Sequence, residues 1–530
     1  MPTHPLAGGP LPRKPIQGKG LHQYLGMFGY SATALSFAPW EPRADAGIIR
    51  RMRIICLILA TFVFLPRALA QGLPELGDVS GAILSPQMER RIGEQAMRDI
   101  RFRDPSYLDD PELTAYVNSL GHRLIAADPE ARQDFEFFMI KDNTINAFAM
   151  PGGFVGVHTG LLLAAQAESE AAAVLAHEIG HVTQHHIARM LGKQAQMSIP
   201  NIAAMVVAIL ASRSNPQAAQ GAMTAIMAGN IQAQLDYTRD FEREADRVGF
   251  QILQRAGFDV YAMGTFFERL QKFGRVYENN APAYLRTHPL TTERIADMEN
   301  RAHELVFRQI PDSLEFQLVK AKLKAEQGSP QDAVAAFEDQ LKSRRFASEA
   351  GMRYGLAASF ARARDFKRAE SELAALHRLV SAHPMAELLA ARIRAGQGDL
   401  KAARDIVAES AKQHPNYRPL RYAQVEYQQS LGQHADAVAT LAELIKIHPR
   451  DAKLFDLKAK SYAAMGKRLL QHQALGEAYV LQGALPAAIE QLQLAQRSGD
   501  GDFYQLSSVE ARLRELRVRQ AEESKGEPKR

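Results

Sequence analysis

Apolar and polar positions alternate along the first half of the chain with two periods, which predict different secondary structure. Over residues 85–127, apolar side chains recur every three to four positions, as in an amphipathic helix. The aromatic-rich residues 135–140 predict a β-strand, and residues 146–157 predict two more strands around a Pro-Gly-Gly turn. Residues 168–187, rich in alanine, predict one helix. The pattern therefore predicts a mostly helical α+β domain with a small β-sheet over residues 71–305.

From about residue 314 onward, a helix-turn-helix pattern repeats along the chain. The intervals between the first four turn positions are 36, 34 and 34 residues, and an alanine follows each turn by five residues. These turn positions and alanines are Gly328 and Ala333, Arg364 and Ala369, Gly398 and Ala403, Gly432 and Ala437, and Gly483 and Ala488. A further Gly466 lies 34 residues after the fourth turn. A period of 34 residues is typical of tetratricopeptide repeats.

The repeats predict an all-α tetratricopeptide superhelix over residues 306–500, whose concave face would bind an extended segment or a partner helix. Three His-Pro pairs fall where helical hairpins would begin: His383-Pro384, His414-Pro415 and His448-Pro449. Residues 501–530 predict a C-terminal helix followed by a charged tail, which we expect to be disordered from Gln520 onward.

The N-terminal segment carries a targeting pattern. An apolar run from Ile54 to Phe64 follows two arginines and precedes a small-x-small site that ends at Ala70. This pattern predicts a cleaved secretory signal peptide over residues 52–70, although an uncleaved anchor remains an alternative. Residues 1–51 lack periodicity, and we interpret them as a leader of unknown role or as a misassigned start.

Charge and cysteine content narrow the class of protein. The 530 residues include 64 basic and 59 acidic side chains, a net charge of +5. Residues 1–70 hold 8 of the basic and 2 of the acidic residues, so the processed chain would carry a net charge of −1. This balance predicts no nucleic-acid partner. The single cysteine, Cys56, lies in the signal segment, so a metal site in the processed chain would use histidine and carboxylate ligands.

The segment His177-Glu178-Ile179-Gly180-His181 carries the clearest chemistry. Histidines four residues apart lie on one face of a helix, so both rings can reach a single tetrahedral zinc ion. A glutamate beside the first histidine would lie next to the open coordination position, where it can deprotonate water. The motif also arises by chance, but the helical pattern around it favours a metallopeptidase.

A catalytic zinc ion needs a third protein ligand, and residues 241–249 offer the strongest candidates. Glu242 and Asp246 are four residues apart, so one can bind the metal while the other supports a ligand histidine. Glu244 on the same segment is our second choice.

At this point the chain resembles a known family. The sequence H-E-I-G-H at residues 177–181, followed some sixty residues later by E-R-E-A-D, is similar to gluzincin peptidases that include HtpX-type and Ste-type enzymes. N-A-F-A-M-P-G-G at 146–153 and V-H-T-G-L-L at 157–162 match the same family. With a signal peptide and a tetratricopeptide array, the chain resembles the periplasmic BepA-type members over about residues 85–500.

The resemblance implies one Zn²⁺ ion per chain and a role for each matching residue. The implied metal ligands are His177, His181 and Glu242, with Glu178 as general base and Asp246 supporting a ligand. His288 matches a family histidine that approaches the metal. It would act as a fourth ligand that keeps the enzyme latent, or would stabilise the oxyanion. A purely structural histidine before a proline is the alternative. We interpret His185 and His186 as structural.

Two segments near the motifs bear on substrate and membrane binding. The predicted strand formed by Asn146, Ala147, Phe148, Ala149 and Met150 would be an edge on which an extended substrate adds by main-chain pairing. The apolar segment from Met197 to Ala211 is shorter than a membrane span needs. It predicts a buried or loop-capping helix, or else a flap that makes peripheral contact with lipid.

These features predict a periplasmic zinc endopeptidase that hydrolyses misfolded or misassembled outer-membrane proteins. The repeat array would bind the outer-membrane assembly machinery, an expectation that rests on the resemblance. The alternative is a chaperone or assembly adaptor with a latent or structural zinc site. A membrane-embedded prenyl-protein protease is disfavoured by the lack of long apolar spans.

Overall fold

Four strands form one sheet in the computed structural model, which describes residues 85–191, 231–276 and 282–525. Their order across the sheet is β1-β2-β4-β3, where the strands are β1 (Tyr107–Leu108), β2 (Glu136–Ile140), β3 (Ala147–Met150) and β4 (Phe154–His158). The central strands β2 and β4 are parallel, and the outer strands pair with them antiparallel. Within the described residues β3 pairs only with β4, so it is an edge strand. The predicted small sheet is confirmed.

Helices account for most of the described residues outside the sheet. The first nine are α1 (Pro86–Arg103), α2 (Pro111–Ile125), α3 (Thr159–Ala164), α4 (Glu168–Thr183), α5 (His186–Leu191), α6 (Ile231–Arg255), α7 (Tyr261–Val276), α8 (Ala283–Thr287) and α9 (Thr292–His303). The repeat region consists of α10 (Leu314–Ala325), α11 (Pro330–Ser343), α12 (Glu349–Arg362), α13 (Phe366–Leu379), α14 (Pro384–Gly396), α15 (Leu400–Gln413), α16 (Arg418–Ser430), α17 (His434–Ile447), α18 (Ala452–Ala464), α19 (Arg468–Leu481), α20 (Leu485–Gln496) and α21 (Phe503–Lys525).

The Pro-Gly-Gly turn between β3 and β4 depends on its glycines. Gly152 and Gly153 have φ angles of 76° and 91°, in the left-handed region that favours glycine. A side chain on Gly153 would also collide with the carbonyl of Asp134. The turn therefore sets the register in which Ala147 faces Val157.

The alanine-rich helix is shorter than its sequence pattern predicts. α4 ends at Thr183 instead of continuing to Ile187, and α5 begins at His186. Between them His185 has a φ of 52°, and its Nδ1 lies 2.8 Å from Oε1 of Glu89 on α1. A contact with a residue 96 positions earlier stabilises this break, so local periodicity could not predict it.

α4 lies at the centre of the N-terminal part, and all its residues are buried. The sheet and helices α2, α6 and α7 pack around it. α4 and α6 approach each other closely at two glycines, where Gly180 faces Ala245 and Gly249 faces the backbone of His177. A Cβ atom on Gly249 would lie 2.9 Å from the backbone nitrogen of His177. These glycines therefore set the distance between the two motif-bearing helices.

The repeat region forms six successive helical hairpins within the described residues. Every predicted turn position has a left-handed φ: 59° at Gly328, 61° at Arg364, 91° at Gly398, 74° at Gly432, 70° at Gly466 and 76° at Gly483. The predicted tetratricopeptide pattern is thus confirmed at its turns. The His-Pro pairs fit less well. His383 is the N-cap of α14, whereas His414 and His448 end the preceding helices α15 and α17.

One apolar core continues from the N-terminal part into the first repeats. It includes Leu113 of α2, Ile179 of α4, Phe316 of α10, Tyr354 of α12 and Ile393 of α14. The first repeats are therefore packed on the N-terminal part through a shared core.

Some predictions fall on other parts of the chain. The leader at 1–51, the signal peptide at 52–70 and the apolar segment from Met197 to Ala211 lie outside the described residues. In the part of the chain that is described, none of the helices combines the length and apolar character needed to cross a membrane. α21 continues to Lys525, so the predicted onset of disorder at Gln520 is wrong.

Candidate metal centre

Three elements bring the predicted metal ligands together. α4 supplies His177 and His181, one turn apart, with their Nε2 atoms at 3.1 Å. α6 supplies Glu242, and the residue directly after α8 is His288. One ligand atom from each of these four side chains lies within 4.8 Å of all the others.

The spacing of these atoms suits a tetrahedral metal ion. With bonds of about 2.0–2.1 Å, a regular tetrahedron has ligand-to-ligand edges of about 3.3 Å. Nε2 of His177 lies 3.4 Å from Nδ1 of His288 and 3.4 Å from Oε2 of Glu242. Nε2 of His181 lies 3.4 Å from Oε1 of Glu242. Imidazole nitrogens and carboxylate oxygens are donors that bind zinc in proteins. The residues present therefore fit a metal ion.

Glu178 and His288 face each other beside this cluster. Nδ1 of His288 lies 2.9 Å from Oε1 of Glu242, and its Nε2 lies 3.4 Å from Oε1 of Glu178. The His288 ring stacks on Tyr284, with ring centroids 4.6 Å apart. One imidazole thus contacts both the predicted ligands and the predicted base.

A buried arginine supports the carboxylates. Arg294 donates from Nε and NH2 to both oxygens of Asp246, at 2.6 and 2.8 Å. Its NH1 lies 2.9 Å from Oε2 of Glu242 and donates to the carbonyl of Pro289, at 2.7 Å. Asp246 in turn lies 3.0 Å from Nδ1 of His177. One guanidinium therefore holds a ligand, its supporting carboxylate and the segment after His288.

The charges in the site shift the pKa values of its members. Burial raises the pKa of Asp246, but the hydrogen bonds from Arg294 and His177 outweigh it and hold the pKa below its usual range. Burial lowers the pKa of His177, yet its bonds with Asp246 and Glu242 raise that pKa to about 9. A metal ion bound at Nε2 of His177 would take the place of the proton on that nitrogen.

His181 has a different neighbour. Its Nδ1 lies 2.9 Å from Nδ1 of His186, whose Nε2 lies 3.0 Å from Oε2 of Glu244. Burial, with a further contribution from His181, lowers the pKa of His186 to about 3. Glu244, our second choice for a metal ligand, therefore binds His186 and lies outside the four-ligand cluster.

The predicted substrate strand lies next to the site. Asn146 is buried just before β3, whose side chains are buried except for the half-buried Ala149. β3 packs against α4, and the backbone N–H of Tyr284 donates to the carbonyl of Ile145 at 3.1 Å. The start of the edge strand is thus tied to the segment that carries His288.

Comparison with known proteins shows the family to which the chain belongs. Peptidase family M48 matches residues 111–302, and a tetratricopeptide repeat matches residues 394–461. The chain is 33% identical over 456 residues to the beta-barrel assembly-enhancing protease of Escherichia coli K12, covering 84% of this chain and 92% of that protein. The chain belongs to the beta-barrel assembly-enhancing protease family. The corresponding protein of Yersinia pestis is 31% identical, over 84% of this chain and 91% of its own length.

A more distant relative shares the peptidase part. The mitochondrial metalloendopeptidase OMA1 of Schizosaccharomyces pombe is 30% identical over 221 residues, 41% of this chain and 61% of its own. Membership of the M48 and beta-barrel assembly-enhancing protease families confirms that the chain is a metallopeptidase with tetratricopeptide repeats. The four-ligand cluster at His177, His181, Glu242 and His288 is its candidate metal centre.

Two residues beside the candidate metal centre, Arg294 and Tyr284, are not among the sequence predictions, and a third, His186, is interpreted there as structural. Arg294, Tyr284 and His186 contact the candidate ligands or Asp246, but none belongs to a spacing motif with a known mechanism. The one available signal is the density of histidine after H-E-I-G-H, where His185 and His186 follow within five residues.

Proposed function

We propose that the protein is a zinc endopeptidase in which His177, His181 and Glu242 hold the metal and Glu178 is the general base. The convergence of four ligand atoms within 4.8 Å, next to a buried glutamate, carries this proposal. When bound, zinc supplies Lewis acidity and lowers the pKa of water to about 7. Glu178 would take the proton from the attacking water and return it to the leaving amide nitrogen.

Asp246 and Arg294 position the ligands in this scheme. Asp246 fixes the orientation of the His177 ring through Nδ1, which leaves Nε2 free to bind metal. The single positive charge of Arg294 offsets part of the repulsion between the two carboxylates in this buried site. Neither residue would need to move during the reaction.

His288 would keep the enzyme latent in this conformation. It occupies the fourth position of the cluster, where the attacking water would otherwise lie, and its Nε2 faces Glu178. Activity would therefore require the His288 ring to leave. The alternative role, stabilisation of the oxyanion, would require the ring to remain at the site during the reaction.

The edge strand β3 would bind substrate. Residues from Asn146 to Met150 would pair through their backbone with an extended chain, which selects for unfolded segments over folded ones. The substrate side chains would contribute less, since main-chain pairing is independent of sequence.

The relatives suggest where the enzyme works. Their name, beta-barrel assembly-enhancing protease, links them to β-barrel assembly. We extend this to a periplasmic enzyme, exported by the signal peptide at 52–70, that degrades outer-membrane proteins that misfold or misassemble. The repeat array over residues 306–500 would bind the assembly machinery or its clients.

The decisive experiment measures zinc content and casein cleavage of the purified protein, of Glu178→Gln and of the control Glu268→Gln. Glu268 is paired with Lys272 on the surface of α7, so its substitution makes the same chemical change away from the site. We expect zinc in all three proteins and loss of cleavage in Glu178→Gln alone. A protein without zinc, or a Glu178→Gln variant that still cleaves, would contradict the proposal.

The chaperone alternative also has support. A closed set of four ligands leaves no position for water, as in a structural zinc site. If zinc is structural, the wild-type protein will suppress aggregation of an unfolded outer-membrane protein without cleaving it, and Glu178→Gln will do so equally well. Cleavage by the wild type that Glu178→Gln abolishes would favour the peptidase.

A further inference from the structure

A second chain of polar side chains leads away from the candidate metal centre, from His181 toward the surface. His186 is buried, and its two ring nitrogens contact His181 at 2.9 Å and Glu244 at 3.0 Å. Arg189 donates from NH1 to the same Glu244 oxygen at 2.8 Å. The His186 ring also stacks on Phe241, with centroids 4.3 Å apart and planes inclined by 18°.

The break between α4 and α5 makes this contact possible. In a continuous helix, residues five apart point about 140° away from each other, so their side chains cannot meet. The left-handed backbone at His185 turns the chain, and His186 then comes back toward His181. The bond between His185 and Glu89 holds this turn in place.

The hydrogen-bond pattern has only one consistent direction when His181 binds metal through Nε2. Its proton must then lie on Nδ1, which donates to Nδ1 of His186. His186 must carry its own proton on Nε2, which donates to Glu244. Arg189 keeps Glu244 an acceptor by pairing with it. Glu244 thereby fixes the tautomer of His186, and His186 fixes the tautomer of His181.

We propose that His186 and Glu244 position the metal ligand His181, as Asp246 positions His177. This inference rests on the proposed function in one respect, the use of His181 as a ligand. A histidine ligand whose second nitrogen is bonded in a fixed direction holds its ring in place and binds metal more tightly. His186 is thus a positioning residue, in contrast to the structural role that the sequence predicts.

The test compares three substitutions of His186 in the full protein. In His186→Asn, the amide oxygen takes the place of Nδ1 and still accepts from His181. In His186→Gln, the amide nitrogen takes the place of Nε2 and the acceptor for His181 is lost. In His186→Phe, the ring and its stacking on Phe241 remain, but both polar atoms are lost. The readouts are the zinc dissociation constant, from competition with a chromogenic chelator, and the visible absorption spectrum of the Co²⁺-loaded protein.

We expect His186→Phe and His186→Gln to weaken zinc binding by about 10–100-fold, the usual effect of losing such a partner. His186→Asn should retain most of the affinity and the wild-type Co²⁺ spectrum. Equal affinity in all variants, or equal loss in all three, would overturn the proposal. Glu244→Leu and Glu244→Gln test the contact between Glu244 and His186 without changing the core. The leucine variant should weaken zinc binding, and the glutamine variant should not.

Failure of this inference can be told apart from failure of the proposed function. If the unsubstituted protein binds no zinc, the proposed function fails. If the unsubstituted protein binds zinc and cleaves casein, while His186→Phe and Glu244→Leu bind zinc equally tightly, only the positioning role is refuted. Urea unfolding of each variant identifies any that lose affinity because they fail to fold.

Discussion

Glu168, in the first turn of α4, accepts hydrogen bonds from both the backbone N–H and the hydroxyl of Ser313, at 3.0 and 2.7 Å. Ser313 is the N-cap of α10, the first helix of the repeat region. In return, the backbone N–H of Glu168 donates to Asp312 at 2.7 Å. α4 receives no side-chain cap from its own N-cap residue, Ala167. The helix that carries H-E-I-G-H and the first repeat helix therefore cap each other.

This mutual capping predicts a measurable energetic coupling. We expect Ser313→Ala and Glu168→Gln each to lower the free energy of unfolding by about 1–2 kcal/mol, because each removes bonds to buried groups. The double variant should lose less free energy of unfolding than the two single variants lose together, by at least about 0.5 kcal/mol, since the two residues share the same bonds. Urea denaturation of the four proteins measures this.

Ser329→Ala provides the matched control for this comparison of single and double variants. Ser329 caps α11 in the same way, but at an exposed position, where its hydroxyl bonds to Asp332. Its effect should add to that of Glu168→Gln. If the losses in free energy of unfolding caused by Ser313→Ala and Glu168→Gln also add, the mutual cap contributes no energetic coupling.

A buried ionic cluster also joins the two parts and should make stability depend on pH. Nζ of Lys322 lies 2.6 Å from both Asp110, the N-cap of α2, and Glu112, in the first turn of the same helix. Burial raises the pKa of Asp110, but Lys322 outweighs it and lowers the pKa below the ordinary value. A carboxylate with a depressed pKa stabilises the fold above its unfolded-state pKa of about 4, and this contribution is lost as the pH falls further.

Asp110→Asn should therefore flatten the acid side of the stability profile. Asparagine is a good N-cap, so the cap on α2 remains while the charge is removed. Above pH 5 the variant should be less stable by about 2–3 kcal/mol, and the difference should shrink below pH 4. Among the described residues, Asp399 caps α15 without a cationic partner, so Asp399→Asn is the control. Parallel profiles for wild type and Asp110→Asn would refute the role of the charge.

The close approach of α4 and α6 predicts an effect on metal binding. A Cβ atom on Gly249 would press on the backbone of His177, so Gly249→Ala should destabilise the protein by about 1–3 kcal/mol. It should also weaken zinc binding, because the ligand itself is displaced. Gly264→Ala on α7 is the control, since the nearest atom is the side-chain Cγ of Glu299 at 3.4 Å. Unchanged zinc affinity in Gly249→Ala would mean that α4 absorbs the strain elsewhere.

Local sequence predicts the parts of this molecule that local interactions determine. The 34-residue period marks turns whose left-handed backbone favours glycine, and the structure has such a backbone even at Arg364. The spacing of His177 and His181 likewise follows from one helical turn. The strand pair around Gly152 and Gly153 is likewise determined locally, by a turn whose backbone favours glycine.

The remaining parts depend on contacts between distant segments. Glu89 contacts His185 at the break after Thr183, and Asp246 accepts from Arg294, 48 residues further along. Neither Glu89 nor Arg294 carries a motif, so no periodicity or spacing points to either. His186 shows the consequence, since its role follows from a backbone turn that its own neighbours do not predict.

His288 predicts the most direct change in activity. Because its ring occupies the fourth position of the cluster and faces Glu178, His288→Ala should open a position for water. Casein cleavage should then rise about tenfold or more, which corresponds to an activation free energy that is lower by at least ~1.4 kcal/mol. Zinc should stay bound through His177, His181 and Glu242. His303→Ala, on the exposed end of α9, makes the same substitution away from the site and should leave cleavage unchanged. A fall in cleavage with zinc retained would instead assign His288 to oxyanion stabilisation, because the ring would then be needed in the transition state.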